Sequence, residues 1–243
     1  MGLTGMRPVR WLLSFVARQR LVRRSSEHHA FLEVSIVRGR TVLDGATVNY
    51  SFGGLHEVFA EAFERLDVAR RDLRSVLLLG LGAGSVVQLL RRDCGVKAPI
   101  TALEIDPVMV EIAREHFGLS RWSNLEVVTA DAVAWVEGSS RRFDLVVVDL
   151  FDEAQIPAAC RTPGFLLRLR DRLAAGGMLV FNVVASRPAA REEAHAFAAL
   201  FERILGPSRV LEVRGNLILA FERPRADSLV AEANPRRYSP DRS

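Results

Sequence analysis

Three glycines, Gly80, Gly82 and Gly84, alternate at the end of the apolar run LLLGLGAGSV, and acids recur behind them: Glu104 and Asp106, then Asp131, then Asp149 and Asp152. Alternating glycines let a backbone turn sharply and approach a ligand closely. An acid about twenty residues past such a loop, where Glu104 stands, can accept hydrogen bonds from ribose hydroxyls. Carboxylates at Asp131 and Asp149 would repel phosphate and favour a cation. The set describes a pocket for a positively charged nucleoside. A dinucleotide fingerprint would need its third glycine where Ser85 stands, and no Gly-Lys-Ser/Thr ending is present for a triphosphate. Each acid alone would serve equally well as a helix cap. Their recurrence after successive strands argues for a ligand.

The elements that must position these groups alternate. Apolar runs SVLLLG, ITALEID, LEVVTAD, FDLVVVDL and GMLVFNVV are separated by helical segments starting near Ser85, spanning about Pro107 to His116, centred on Trp135 and spanning about Pro163 to Leu173. Buried strands separated by helices predict an α/β fold with a doubly wound, mostly parallel sheet, whose ligands sit beyond the carboxyl ends of the strands. A helix around Glu192 to Leu205 and the pair RVLEVRG and NLILAFER, read as a hairpin, complete seven strands. Ahead of the sheet, apolar residues recur at helical spacing from Gly54 to Val68. FLEVSIV and TVLDGATVNY, separated by the turn-like RGR and the latter carrying Asp44-Gly45, predict small antiparallel strands or hairpins. The expected divisions are a basic segment over 1–27, helical or frayed, a small β region over 28–53, a nucleoside-binding domain over 54–223 and a polar tail over 224–243.

The chain has 243 residues, 49% of them hydrophobic, enough for one full core. Its net charge of +4 and isoelectric point near 9.8 rest on arginine, Lys97 being its single lysine. Basic residues are not gathered beside aromatics or a helix-turn-helix pattern, so no nucleic-acid partner is expected. Cys94 and Cys160 lie in no zinc or disulfide pattern, and a reducing cytoplasm is the expected compartment. The early stretch WLLSFVA is flanked by arginines, has no cleavage signal and is too short to span a bilayer. It reads as a frayed end or a basic amphipathic helix lying on a membrane or on the domain, without stable membrane insertion. His28 and His29 lack metal-ligand spacing and read as a solvated loop or strand edge.

ALEIDPVMVEIAREHF, VVTADAVAWV, FDLVVVDLFDEAQIP, TPGFLLRLRDRLAAGGMLVFNV and TVLDGATVNYSFGGLHEVFAEAF together resemble the spermidine-synthase-like (polyamine aminopropyltransferase) family of the class I S-adenosylmethionine-dependent methyltransferase fold, over about Thr41 to Val184. Leu78, where ordinary methyltransferases of the class carry an acid, is also similar to that family. The resemblance implies a Rossmann-like methyltransferase sheet. It implies S-adenosylmethionine or its decarboxylated form as donor, an amine or polyamine as acceptor, a homodimer and no metal. Glu104 would take the ribose hydroxyls and Asp131 the adenine amino group, with Ala132 packing by the adenine ring and Gly80, Gly82, Gly84 and Asp106 completing the donor site. Asp149 would be the catalytic aspartate and Asp152 the second acid of its loop, while His56, Glu57 and Gln155 would face the substrate. Ala83 stands where the family carries an aspartate, and Leu55 where it carries a tyrosine. Those two replacements leave open a methyltransferase using intact S-adenosylmethionine, whose carboxylate would need an arginine, a backbone amide or Gln88. A non-catalytic nucleoside-binding or scaffold protein is the third reading.

Overall fold

The computed structural model describes residues 8–45, 54–151 and 156–225. A short helix, α1 (Pro8–Leu13), precedes a three-stranded antiparallel sheet of β1 (Gln19–Arg24), β2 (Leu32–Val37) and β3 (Arg40–Asp44). The sheet therefore starts inside the 1–27 segment, nine residues before the expected β region. QRLVRR carries too many arginines to read as a strand, but as an edge strand it needs only one paired side, and it pairs with β2. The hairpin turn falls at Arg38-Gly39, both at positive φ (49° and 76°), the conformation a tight two-residue hairpin requires. The turn thus lies in the predicted RGR; Asp44 ends β3, and 46–53 lie outside the described residues.

The main unit continues with α2 (Gly54–Arg65), β4 (Val76–Leu79), α3 (Ser85–Arg92), β5 (Ile100–Glu104), α4 (Pro107–His116), β6 (Leu125–Thr129), α5 (Ala132–Gly138), β7 (Phe143–Val148), α6 (Pro163–Asp171), β8 (Leu173–Val184), α7 (Pro188–Leu205), β9 (Arg209–Val213) and β10 (Asn216–Glu222). Strand order is β6-β5-β4-β7-β8-β10-β9, with β4 to β8 parallel and β10 antiparallel between β8 and β9. This is the expected seven-stranded, mostly parallel α/β sheet. From β4 the chain winds outward through β5 and β6, then returns to β7 on the other side, so the switch point lies between β4 and β7.

Alternation along the strands divides the core. Leu78, Val147 and Val180 face Phe59 and Phe63 of α2 and Val87 of α3, while Leu79, Val148 and Phe181 face Phe165 of α6 and Phe197 and Phe201 of α7. β4 is buried along its whole length, as a central parallel strand must be. A third cluster, with Leu32, Val34, Leu43, Ala83, Met109, Ile112 and Phe117, ties the small sheet to α4.

Several ends differ from the sequence reading. α6 stops at Asp171, and β8 begins at Leu173 and absorbs a register shift before Met178, where Gly176 adopts a φ of 76°. α7 starts at Pro188 rather than near Glu192, because proline suits the first helical turn. α2 ends at Arg65, followed by a 3-10 turn over Val68–Arg70.

Candidate active site

The glycine loop leaves β4 pressed against the end of β7. Gly80 has a φ of 91°, and a Cβ there would lie 2.1 Å from the carbonyl oxygen of Asp149. Only glycine permits that approach. The Gly82 N–H donates to Glu104 Oε2 at 3.0 Å, while Gly84, at a φ of 82°, starts α3 against Leu119. Loop and acid thus form one unit before any ligand arrives. The other Glu104 oxygen accepts from the Asp106 N–H at 3.2 Å. Burial pushes the Glu104 carboxyl up from its ordinary range, partly offset by the Gly82 and Asp106 amides. A carboxylate fixed by two backbone amides keeps lone pairs for a pair of vicinal hydroxyls.

Asp149 follows β7 at the switch point. Burial raises its carboxyl to about 7, helped by the nearby Glu104 charge and opposed by a hydrogen bond from Asn182. That donor lies in β8: Asn182 Nδ2 donates to Asp149 Oδ1 at 2.9 Å, and Asn216 Nδ2 of β10 donates to Asn182 Oδ1 at 2.7 Å. Asn182 is completely buried. Because Asn216 occupies the carbonyl side of the Asn182 amide, its NH2 side is aimed at the aspartate. Neither asparagine emerged from the sequence reading. The signal was there, as a lone amide inside GMLVFNVV and another opening NLILAFE, since an amide in a buried strand needs partners.

Asp131 lies exposed at the end of β6 and caps α5, accepting from the Ala134 N–H at 2.8 Å, with Ala132 buried just behind it. Its second oxygen is left for a ligand or solvent.

Four of the polar groups singled out in the sequence have partners within the fold. Asp106 is enclosed, with one oxygen capping α4 through the Val108 N–H at 2.8 Å and the other held by the Ser26 hydroxyl at 2.5 Å and His29 Nδ1 at 2.7 Å. Burial would raise its carboxyl, but these bonds bring it below its ordinary value. Its side chain locks the β1–β2 connection onto α4. His29 correspondingly has a partner rather than a solvated position. Glu57 is exposed on α2 and pairs with Arg214 of the β9–β10 turn at 2.6 Å, so its carboxylate braces that turn. Gln88 is buried and donates to the Phe117 carbonyl at 3.4 Å.

Ala83 is 2% exposed and sits in the apolar cluster between the small sheet and α4, a setting hostile to a carboxylate. His56 is half-buried on α2. Asp152 and Gln155 lie outside the described residues.

Comparison with known proteins agrees with this architecture. A family model described as a methyltransferase domain matches residues 76–177. A "Probable polyamine aminopropyl transferase" of Bifidobacterium longum is 27% identical over 162 residues, covering 63% of this chain and 35% of the relative. An "eEF1A lysine and N-terminal methyltransferase homolog" of Drosophila pseudoobscura pseudoobscura is 30% identical over 132 residues, covering 51% of this chain and 20% of the relative. The chain thus spans well under half the length of either. The crystal structure of a probable spermidine synthase from Corynebacterium glutamicum superposes with a TM-score of 0.69 at 19% identity, covering 83% of this chain and 79% of that one.

Sheet order, glycine loop and strand-end acids define a class I methyltransferase fold. Within that fold, the chain is similar to a polyamine aminopropyltransferase and to a protein methyltransferase homologue.

Proposed function

We propose that the chain is a transferase that binds a sulfonium nucleoside and alkylates an amine, with decarboxylated S-adenosylmethionine as donor and a polyamine as acceptor. The observation that carries this is Asp149: a carboxyl at the switch point, beside the glycine loop and Glu104, held near 7 and oriented by a buried amide. An amine is mostly protonated at neutral pH, and only its neutral form can attack. A carboxylate with a proton affinity near the working pH is suited to accept that proton.

In the proposed step, the amine nitrogen attacks the donor carbon next to sulfur. The C–N bond forms, the C–S bond breaks and its electrons neutralise the sulfonium, while the nitrogen's proton passes to Asp149. Glu104 holds the ribose hydroxyls, the Gly80–Gly84 loop gives the donor room against the backbone, and Asp131 and Ala132 flank the base. Asp106 and Glu57 are left out, having structural partners. The Bifidobacterium relative's name supports aminopropyl transfer. Two unpaired cysteines fit the cytoplasm as the proposed compartment, and a homodimer is the proposed assembly.

A second reading has its own support. Ala83 withholds an acceptor-side acid and Glu57 is paired with Arg214, while the Drosophila relative is named a methyltransferase. That reading is methyl transfer from intact S-adenosylmethionine. Calorimetry with both nucleosides separates the two: the proposal expects tighter binding of the decarboxylated form. A clear preference for the intact form would transfer support to methylation, and binding of neither would leave a scaffold.

A further inference from the structure

We propose that the stretch from Pro8 to Val16 is a docking ridge for an anionic lipid surface, carried on the small sheet and separate from the transfer site. α1 buries none of its residues, and Val9, Trp11, Leu12, Leu13, Phe15 and Val16 are between 42% and 89% exposed. A contiguous run of this kind marks an interaction surface. It is not a frayed end. The Ser14 carbonyl accepts from the Arg38 N–H at 2.8 Å, and the buried Ser14 hydroxyl accepts from the Gly39 N–H at 2.8 Å. The Trp11 and Phe15 rings meet edge to face, 5.0 Å between centroids, and close over Gly39, where a Cβ would stand 2.9 Å from Trp11 Nε1. The β2–β3 turn therefore grips the helix and presents its apolar side outward.

Charge decides the occupant. From Pro8 to Arg24 the sequence has no acid and five arginines: Arg10, Arg18, Arg20, Arg23 and Arg24. Arg18 pairs with Asp44, Arg20 with Glu33, and Arg24 with Glu111 and Glu115. Arg10, and Arg38 and Arg40 on either side of Gly39, have no carboxylate partner among the described residues. A second copy docking through the same patch about a twofold axis would set these arginines against their own mates. An anionic lipid surface accommodates both parts, apolar side chains entering the headgroup boundary and arginines meeting lipid charge. No helix of the described residues is long and apolar enough to cross a membrane, so the contact is peripheral.

The test is pelleting of the full chain with vesicles of phosphatidylcholine alone or with about one third phosphatidylglycerol. The expected result is binding to the anionic vesicles, weakened by salt. Binding should fall at least about tenfold in a Leu12→Glu, Val16→Glu double variant, and about fivefold in each of Arg10→Ala and Arg40→Ala. All these positions are exposed, so the variants should keep the wild-type circular dichroism and the same turnover of a soluble amine. No pelleting of the wild-type chain, or equal pelleting of the double variant, would overturn the proposal. So would a dimer in velocity sedimentation that the double variant splits, without vesicle binding.

Discussion

Replacing Asn182 by leucine removes the hydrogen-bond donor to Asp149 while roughly keeping side-chain volume inside β8. The donor sits 2.9 Å from the carboxylate and is completely buried, so no solvent competes for it. A hydrogen bond to a charged group contributes about 1.5–3 kcal/mol, and one pKa unit corresponds to about 1.4 kcal/mol, so losing it should raise the Asp149 carboxyl by about one to two pH units. The direction follows from the bond itself: Asn182 stabilises the charged form, so without it the proton is held to higher pH. In the rate profile, the acid limb set by Asp149 near 7 moves upward by that amount. Activity at pH 7 should fall by roughly fivefold to fiftyfold and recover in part at pH 9. Asn216→Leu is the milder companion, since it leaves the direct donor in place but frees the Asn182 amide to turn, and its limb should shift less. The assay is kcat/KM against pH with the donor saturating in both variants. An acid limb unmoved in Asn182→Leu, with activity lowered equally at every pH, would refute the idea that the asparagine pair sets the proton affinity of Asp149.

Other consequences are more direct. Asp149→Asn should lose nearly all turnover yet unfold at higher temperature at pH 8. The native carboxyl is raised from 3.8 to about 7, so the folded state binds the extra proton and its advantage is lost as pH rises between those values. The gain should be of order 4 kcal/mol at pH 8 and fall below about 1 kcal/mol at pH 4, and equal melting at both pH values would contradict it. Glu104→Ala should weaken nucleoside binding by roughly tenfold to a hundredfold whichever group is transferred, as read by calorimetry, and unchanged affinity would remove Glu104 from the donor site. Ala83→Asp should destabilise the fold by about 3 kcal/mol or more, because the new carboxylate enters the cluster around Leu32, Val34 and Met109. A variant as stable as the parent with improved amine binding would show that this position faces the acceptor.

The parallel core was legible because its signals are local. Asp106 followed by Pro107 announces a capped helix, which runs to His116 as expected, and VLLL bounded by glycine announces a strand buried on both faces. The strand-end position of Glu104, Asp131 and Asp149 follows from the same alternation. What sequence could not supply was which polar groups meet. Asp149, Asn182 and Asn216 converge only because β10 inserts antiparallel beside β8, placing Asn216 two residues along from the partner of Asn182 in the ladder. Asp106 looked like its neighbour Glu104, yet the β1–β2 connection supplies Ser26 and His29 to it from 80 and 77 residues away. Glu57 gains Arg214 as a partner from the β9–β10 turn, 157 residues along the chain. QRLVRR became a strand only through its pairing with β2. In each case a long-range partner decided the role, and no spacing within one segment reports it.

Alkylation of an amine from a sulfonium nucleoside at this site is read out by product analysis. The chain is incubated with decarboxylated S-adenosylmethionine and a mixture of polyamines, in parallel with Asp149→Asn, and both reactions are read by mass spectrometry. An amine bearing one added aminopropyl group, together with the released thioether nucleoside, is expected from the parent chain and not from the variant. No modified amine from the parent chain with donor bound, or equal product from Asp149→Asn, would contradict it.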